Sequence, residues 1–509
     1  MSNRKRVAKA IVFSAIASLI AYLINFFLTS YITKHVGIDA YGFVTVSRTF
    51  INYASIITTA FTVFIVRYIS VNYHQNEMRE ANAYFASSIK ACIVISSIIL
   101  GASLIIVLFL ERILVIPERL VNSVKLLFVL MFSGFCFTTI TTPFQSAAYI
   151  KNRLDISSIA RISSYIIESV VLVILFYCFD ANLFFVGVGS LSAAILIFVF
   201  NYVMAKKLTP ELTYDSALVS ASKIKNLVKN GIWSSVNQLG NVLNSGLDLL
   251  IANLFLSGVE MGQIAVAKTI GSIFSTLISV IYQPLHPQML KNYSSGNTDV
   301  FMKNLTKSMK LCGFFGALFY SGFFSLGLLY FKLWLPGEDS LLLHRLTLLT
   351  VLNYVTESVV MPLYYVSTLT VKNKVPCWVT IGGGVLNVLA MYVLLKFTNI
   401  GVYGVVITTA VIMISINLFF NPLYAAWCLK SNSKPVYFVI IRHILACGCM
   451  ILAFKGIGHV LMPSNWAFLI LSAILMTVIG VLIYIPIVCN KSELLYFKNL
   501  LIKKIIRRN

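Results

Sequence analysis

Charge is scarce in this chain. Only 11% of its 509 residues are Asp, Glu, Lys or Arg, against roughly 25% in soluble domains. That is too little to cover a surface facing water. Acidic residues are scarcer still, 17 against 40 Lys and Arg. There are six histidines and nine cysteines. Cys447-Gly-Cys449 is the one close cysteine pair, and no His/Cys grouping has metal-ligand spacing. The cysteines read as small apolar packing residues, and no metal or organic cofactor is expected. These shortages exclude a soluble enzyme and a disordered chain. They also exclude a nucleic-acid-binding protein, because the net charge of +23 is spread between apolar stretches and not gathered in one patch.

What the chain has in abundance is apolar sequence, 59% of it. A bilayer core of about 30 Å needs about 20 apolar residues per helix. Fourteen such runs are readable, at 10–33, 41–66, 85–110, 122–148, 157–179, 182–204, 229–254, 262–287, 308–331, 342–367, 375–396, 401–428, 436–458 and 465–488. They are continuous and do not alternate, which excludes a β-barrel. The expected class is an all-α polytopic membrane protein. The first run is too long for a signal peptide and lacks a cleavage pattern.

The basic residues orient the spans. With the N-terminus in the cytoplasm, eight of the 40 fall in outer loops: Lys34, Arg112, Arg119, Lys125, Lys332, Arg345, Lys396 and Lys455. Arg48 and Lys268 lie inside spans, and the remaining 30 belong to inner segments. The bias places both termini on the cytoplasmic side, with Lys503, Lys504, Arg507 and Arg508 of the tail on anionic lipid.

The chain also repeats itself. A shift of 220 aligns Gly42-Phe-Val-Thr-Val-Ser-Arg48-Thr49 with Gly262-Gln-Ile-Ala-Val-Ala-Lys268-Thr269. The same shift carries Arg48, Asn52, Ser55, Thr59 and Thr62 of span 2 onto Lys268, Ser272, Ser275, Ser279 and Tyr282 of span 8. Steps of four and three put each set on one helix face. Span 1 (Ser14, Ser18, Tyr22, Asn25, Thr29) and span 7 (Ser234, Gln238, Asn241, Ser245, Asp248) carry similar faces. Each repeat holds six spans, an even number, so the halves run parallel about an axis along the membrane normal. The expected organisation is an N-terminal half at 1–210, a second half at 211–430, and two extra helices with a basic tail at 431–509.

Polar groups in hydrocarbon face a bundle interior or a wet cavity, so spans 1, 2, 7 and 8 are expected to line a cleft between the halves. The alternative is that Ser and Thr merely bond neighbouring helices. Arg48, about 10 Å below the outer end of its span, and its repeat mate Lys268 suit an anionic ligand group. Asn25, Asn52, Ser55, Asn241, Ser245 and Ser272 complete the candidate cavity set. Snorkelling is the rival reading for Arg48, and an ion pair with Asp248 is the rival for Lys268. Asp248, Glu168 and Glu357 are candidates for coupling to H+ or Na+; pairing or helix packing is the alternative for Asp248 and Glu357. Arg161 and Glu168, two turns apart, are expected to have separate partners. Pro143 and Pro362, in equivalent spans, are candidate hinges. Pro284 and Pro287, flanking His286, are expected to end span 8.

On these residues the chain resembles a known family. The paired six-helix halves, Asp248-x-x-Ile251, Gly262…Val266-Ala-Lys268 and the Pro-rich exit of span 8 look like the polysaccharide-transport branch of the multidrug/oligosaccharidyl-lipid/polysaccharide exporter superfamily. The likeness is to Wzx-type O-antigen flippases. It implies movement of an undecaprenyl-pyrophosphate-linked oligosaccharide from the inner to the outer leaflet of the bacterial cytoplasmic membrane, in lipopolysaccharide or similar polymer synthesis. It further implies membrane lipids, a polysaccharide polymerase and a chain-length regulator as partners, and a non-enzymatic role. Basic residues in the cavity of related lipid II flippases correspond to Arg48 and Lys268. The extra helix pair would help form a groove for the lipid tail. The chain departs from the lipid II branch in having no arginine within span 1.

Two rivals are weighed. A drug or organic-cation exporter of the same superfamily would want an acidic, aromatic cavity, whereas both symmetric charges here are basic. A membrane polysaccharide polymerase or ligase would want a sizeable outer loop, yet the longest hydrophilic stretch, 205–228, is assigned to the cytoplasm.

Overall fold

The computed structural model describes residues 20, 22–151, 153–282, 285–294, 297–370, 372–461 and 465–490. Ser14, Ser18, Pro284 and the basic tail from Lys503 to Arg508 lie outside them, and the Ser245 side chain is also outside the description. Among the described residues there are helices and no strands. In chain order the principal helices are α1 (22–35), α2 (Ile38–His74), α3 (Met78–Leu108), α4 (Val121–Thr141), α5 (Leu154–Cys178) and α6 (Phe184–Leu208). Then come α7 (Ala221–Asn241), α8 (Asp248–Phe255), α9 (Gly258–Tyr282), α10 (His286–Ser294), α11 (Thr298–Trp334) and α12 (Ser340–Leu369). The last are α13 (Lys374–Phe397), α14 (Val402–Ser415), α15 (Asn421–Leu429), α16 (Lys434–Leu461) and α17 (Trp466–Val488).

Among the described residues, twelve helices are long and apolar enough to cross a membrane. Together with α1 and the α7–α8 pair they account for the fourteen expected stretches, and the chain is a multi-pass membrane protein. Polar side chains mark where helices start. Asn297 accepts from the Val300 N–H, Asp339 from those of Leu341 and Leu342, and Asn465 from that of Phe468, which satisfies otherwise orphaned donors. Helices α2 and α11 run for 37 residues each, about 55 Å at 1.5 Å per residue. They outrun the hydrocarbon core, so their ends lie beyond the apolar runs that predicted them.

The chain forms two compact units, Met1–Ala265 with Thr380–Val388, and Val266–Val379 with Leu389–Asn509. In the first, α2 and α7 pack closely because the contact residues are small. A Cβ on Gly231 would sit 1.6 Å from the Ala60 carbonyl oxygen, and Ser235 Oγ donates to Ile56 O at 2.5 Å. Phe61, Ile65, Ile69, Phe85, Cys92 and Leu227 form the adjoining core. At the α1–α2 turn, Gly37 adopts φ 119°, and Arg119 bonds both Val36 O and the Asp39 carboxylate.

In the second unit α11 packs against α12 and α16. Gly316 makes room for Ser358, and Gly313 for His443 and Tyr484. His443 is fully buried. Its Nε2 lies 2.9 Å from Val355 O, and its Nδ1 lies 3.0 Å from the Tyr484 hydroxyl, which also donates to Lys310 O at 3.2 Å. The last two helices are thereby pinned to the unit.

Two expected spans are not continuous α-helix. Span 7 changes at Val242–Gly246 into a π-helical turn, and span 12 does the same at Ile416–Phe420. The two prolines also differ. Pro143 lies in a 3₁₀ turn, Thr142–Gln145, that follows α4, whereas Pro362 lies inside an uninterrupted α12. Span 8 ends at Tyr282, and His286 opens a new helix.

Candidate functional site

The π turn in span 7 places its polar residues. A π turn leaves helix carbonyls without their usual partners, and side chains take them up. Asn244 Nδ2 donates to Gly240 O at 2.9 Å and to Thr380 O at 2.6 Å. Asn387 Nδ2 donates to Asn244 O at 2.7 Å, and Tyr53 Oη donates to Gly246 O at 2.8 Å. Asp248 follows at the N-terminus of α8. It is buried, where the helix dipole favours its charge, and that charge acts on Tyr53. Asn244, Asn387 and Tyr53 were not among the sequence candidates. For Asn387 the signal was a lone Asn in the apolar run of α13, since a polar group there must find a partner.

Arg48 is half-buried on α2. Its Nη1 donates to Asn25 Oδ1 on α1 at 3.0 Å. The charges of Arg48, Arg161 and Glu168 all act on the Tyr165 phenol of α5, and that of Arg48 acts on Glu168. These five residues therefore share one neighbourhood. Asn52 is exposed.

The rest of the α2 stripe differs from the expected cleft lining. Ser55 Oγ accepts from Gln238 Nε2 on α7 at 3.3 Å. Thr59 and Thr62 donate to carbonyls one turn back on their own helix. Short hydroxyl side chains reach their own backbone easily, and the small residues of α7 let that helix close over part of the stripe. Spans 2 and 7 are therefore in direct contact over this stretch.

In the second unit Lys268 is half-buried on α9 and Ser272 is exposed, its hydroxyl donating to Thr269 O. Asn241, of the first unit, is exposed. Glu357 is half-buried on α12, and its charge acts on Tyr364. The Tyr364 hydroxyl donates to Asn417 Oδ1 at 2.7 Å, inside the second π turn. Among the described residues no group of three or more His, Cys, Asp or Glu could hold a metal ion.

Residues 7–292, more than half of the chain, match the family described as "Polysaccharide biosynthesis protein". The chain belongs to this family. It is 28% identical over 466 residues to the "Uncharacterized membrane protein EpsK" of Bacillus subtilis (strain 168), covering 90% of this chain and 91% of the relative. Its fold is that of "Lipid II flippase MurJ, inward closed conformation", with a TM-score of 0.68, 14% identity, and coverage of 96% of this chain and 100% of that one. A "multidrug resistance MATE family transporter of the MOP superfamily" in its inward-facing conformation gives a TM-score of 0.68 at 12% identity, covering 85% of this chain and 100% of the transporter.

Proposed function

We propose that this protein is a flippase for a polyprenyl-pyrophosphate-linked oligosaccharide, an O-antigen or similar polysaccharide repeat unit. It would carry the unit from the inner to the outer leaflet of the bacterial cytoplasmic membrane by alternating access. The reading rests above all on Arg48, a cation held part-way into a membrane helix by Asn25, in a chain of the polysaccharide biosynthesis family. A sugar headgroup cannot cross hydrocarbon, whereas an isoprenoid tail can stay in it. The pyrophosphate between them needs a cationic partner, and Arg48 and Lys268 are assigned that part. The amides and hydroxyls of Asn25, Asn52, Asn241, Ser55, Ser245 and Ser272 are assigned hydrogen bonds to headgroup oxygens. A ligand shifts the equilibrium between inward and outward states only by its differential affinity for them, so net export needs an energy source, either an H+ or Na+ gradient or downstream removal of the product. Asp248, Glu168 and Glu357 are the carboxylates assigned to H+ or Na+ coupling. Both termini are placed in the cytoplasm, with a polysaccharide polymerase and a chain-length regulator as downstream partners.

Deleting the gene tests the reading. Lipid-linked oligosaccharide is expected to accumulate with its sugars facing the cytoplasm while surface polymer is lost. Intact polymer together with new sensitivity to cationic dyes would favour a drug exporter.

A further inference from the structure

The short helix α10 joins α9 to α11, and its first residue, His286, is held between two tyrosines. The imidazole stacks on Tyr365 of α12 at 4.4 Å between ring centroids and 4° between planes. It meets Tyr282 of α9 edge-on, also at 4.4 Å. Met289, one turn on, is buried in the same core as Tyr282, Phe301, Leu305 and Met309, while Leu290 and Tyr293 are exposed. Both His286 Nε2 and Tyr282 Oη are buried and have no hydrogen-bond partner among the described residues. The site thus accepts a flat neutral ring, and among the described residues no acceptor is placed on His286 Nε2.

We propose that His286 is a proton-sensitive catch: its neutral ring docks α10 onto α9 and α12, and protonation releases the helix.

The surroundings favour the neutral form. From α9 the imidazole faces Tyr282, and from α12 it faces Tyr365. Behind Tyr282 lie Cys312 of α11 and Tyr364 of α12, and Glu357 acts on Tyr364 from further along α12. The buried face of α11 presents Phe301, Leu305 and Met309, followed by the buried Lys310, while Asp299, Lys303 and Lys307 of that helix are exposed. On its own helix His286 is followed in sequence by Lys291 and Tyr293. Burial pushes the imidazole below its ordinary range, since desolvation disfavours the charged form. A depressed histidine pKa means that docking is complete above the ordinary value of about 6.5 and is lost as pH falls below it. Each unit by which docking depresses the pKa is a ten-fold change in the docking equilibrium. Because α10 links two membrane helices, its release frees the end of α9 from α12.

Hydrogen–deuterium exchange of the full chain in lipid nanodiscs tests the catch. Peptides covering 285–294 are expected to exchange several-fold faster at pH 5.5 than at pH 7.5, after correction for intrinsic rates, while α16 peptides do not change. In His286→Phe, which stacks but does not titrate, the difference disappears. Equal acid responses in wild type and variant would overturn the proposal. A second measurement needs no variant: in ring-labelled wild type, a His286 resonance titrating at the ordinary value while α10 stays protected would also overturn it.

Discussion

Gly42 and Gly262 touch backbone to backbone. A Cβ on Gly42 would lie 3.2 Å from both N and Cα of Gly262, and a Cβ on Gly262 would lie 2.2 Å from Ile38 O. The two glycines are 220 residues apart, the period of the internal repeat.

The contact makes the two glycines unequal. At Gly42 the nearest obstacle is the Met261 Cε at 2.6 Å, the far end of a flexible side chain. At Gly262 it is a carbonyl that cannot move alone. Overpacking of this kind costs about 1–3 kcal/mol. Gly262→Ala is expected to lower the melting temperature in detergent clearly more than Gly42→Ala. Gly101→Ala, with nothing within 4 Å, is expected to leave it unchanged or raise it.

The α2–α7 seam gives a second stability test. Gly231→Ala places a methyl group 1.6 Å from Ala60 O, which forces the helices apart. A loss of about 3 kcal/mol is expected, read as a lower melting temperature or failure to purify as a monodisperse species. Normal stability would mean that α2 and α7 are not in contact here.

The π turn in span 7 is held by side chains. Tyr53→Phe removes one hydrogen bond to a freed carbonyl, costing about 1 kcal/mol. Asn244→Leu removes two donated bonds at once, to Gly240 and Thr380, and is expected to cost more than Tyr53→Phe. Exchange rates of the 242–247 amides should rise in the same order. Unchanged rates in both variants would mean that the turn does not depend on these bonds.

The apolar runs were enough to read the helices and their order, because burying a spanning segment in lipid demands about 20 apolar residues. The helix ends were not legible in α2 and α11, which continue past the hydrocarbon into water, where hydropathy no longer marks them. The polar stripe of α2 mixes side chains of unequal weight. A threonine such as Thr59 satisfies itself on its own backbone, so hydroxyls say less about wet space than Asn25 or Arg48 does. The break in span 7 left only Gly240, Asn244 and Gly246 as signs. Asn244 sits one position off the stripe of Asn241 and Ser245, and so escaped the periodic reading.

Asn25 positions Arg48 without carrying charge. A hydrogen bond to a charged group is worth about 1.5–3 kcal/mol. Asn25→Ala is expected to weaken binding of a pyrophosphate-bearing lipid about ten-fold or more, and Asn25→Gln is expected to restore part of it. An equal loss with an uncharged polyprenyl glycan would contradict the positioning role.

The account stands on positive charge serving a phosphorylated lipid headgroup. The most direct measurement is leaflet transfer of a fluorescent undecaprenyl-pyrophosphate oligosaccharide in proteoliposomes, comparing wild type with Arg48→Ala and Lys268→Ala. Each substitution is expected to slow transfer at least about ten-fold, the effect of losing a charge-assisted contact, with protein stability preserved. Transfer at wild-type rates in both stable variants would contradict the account.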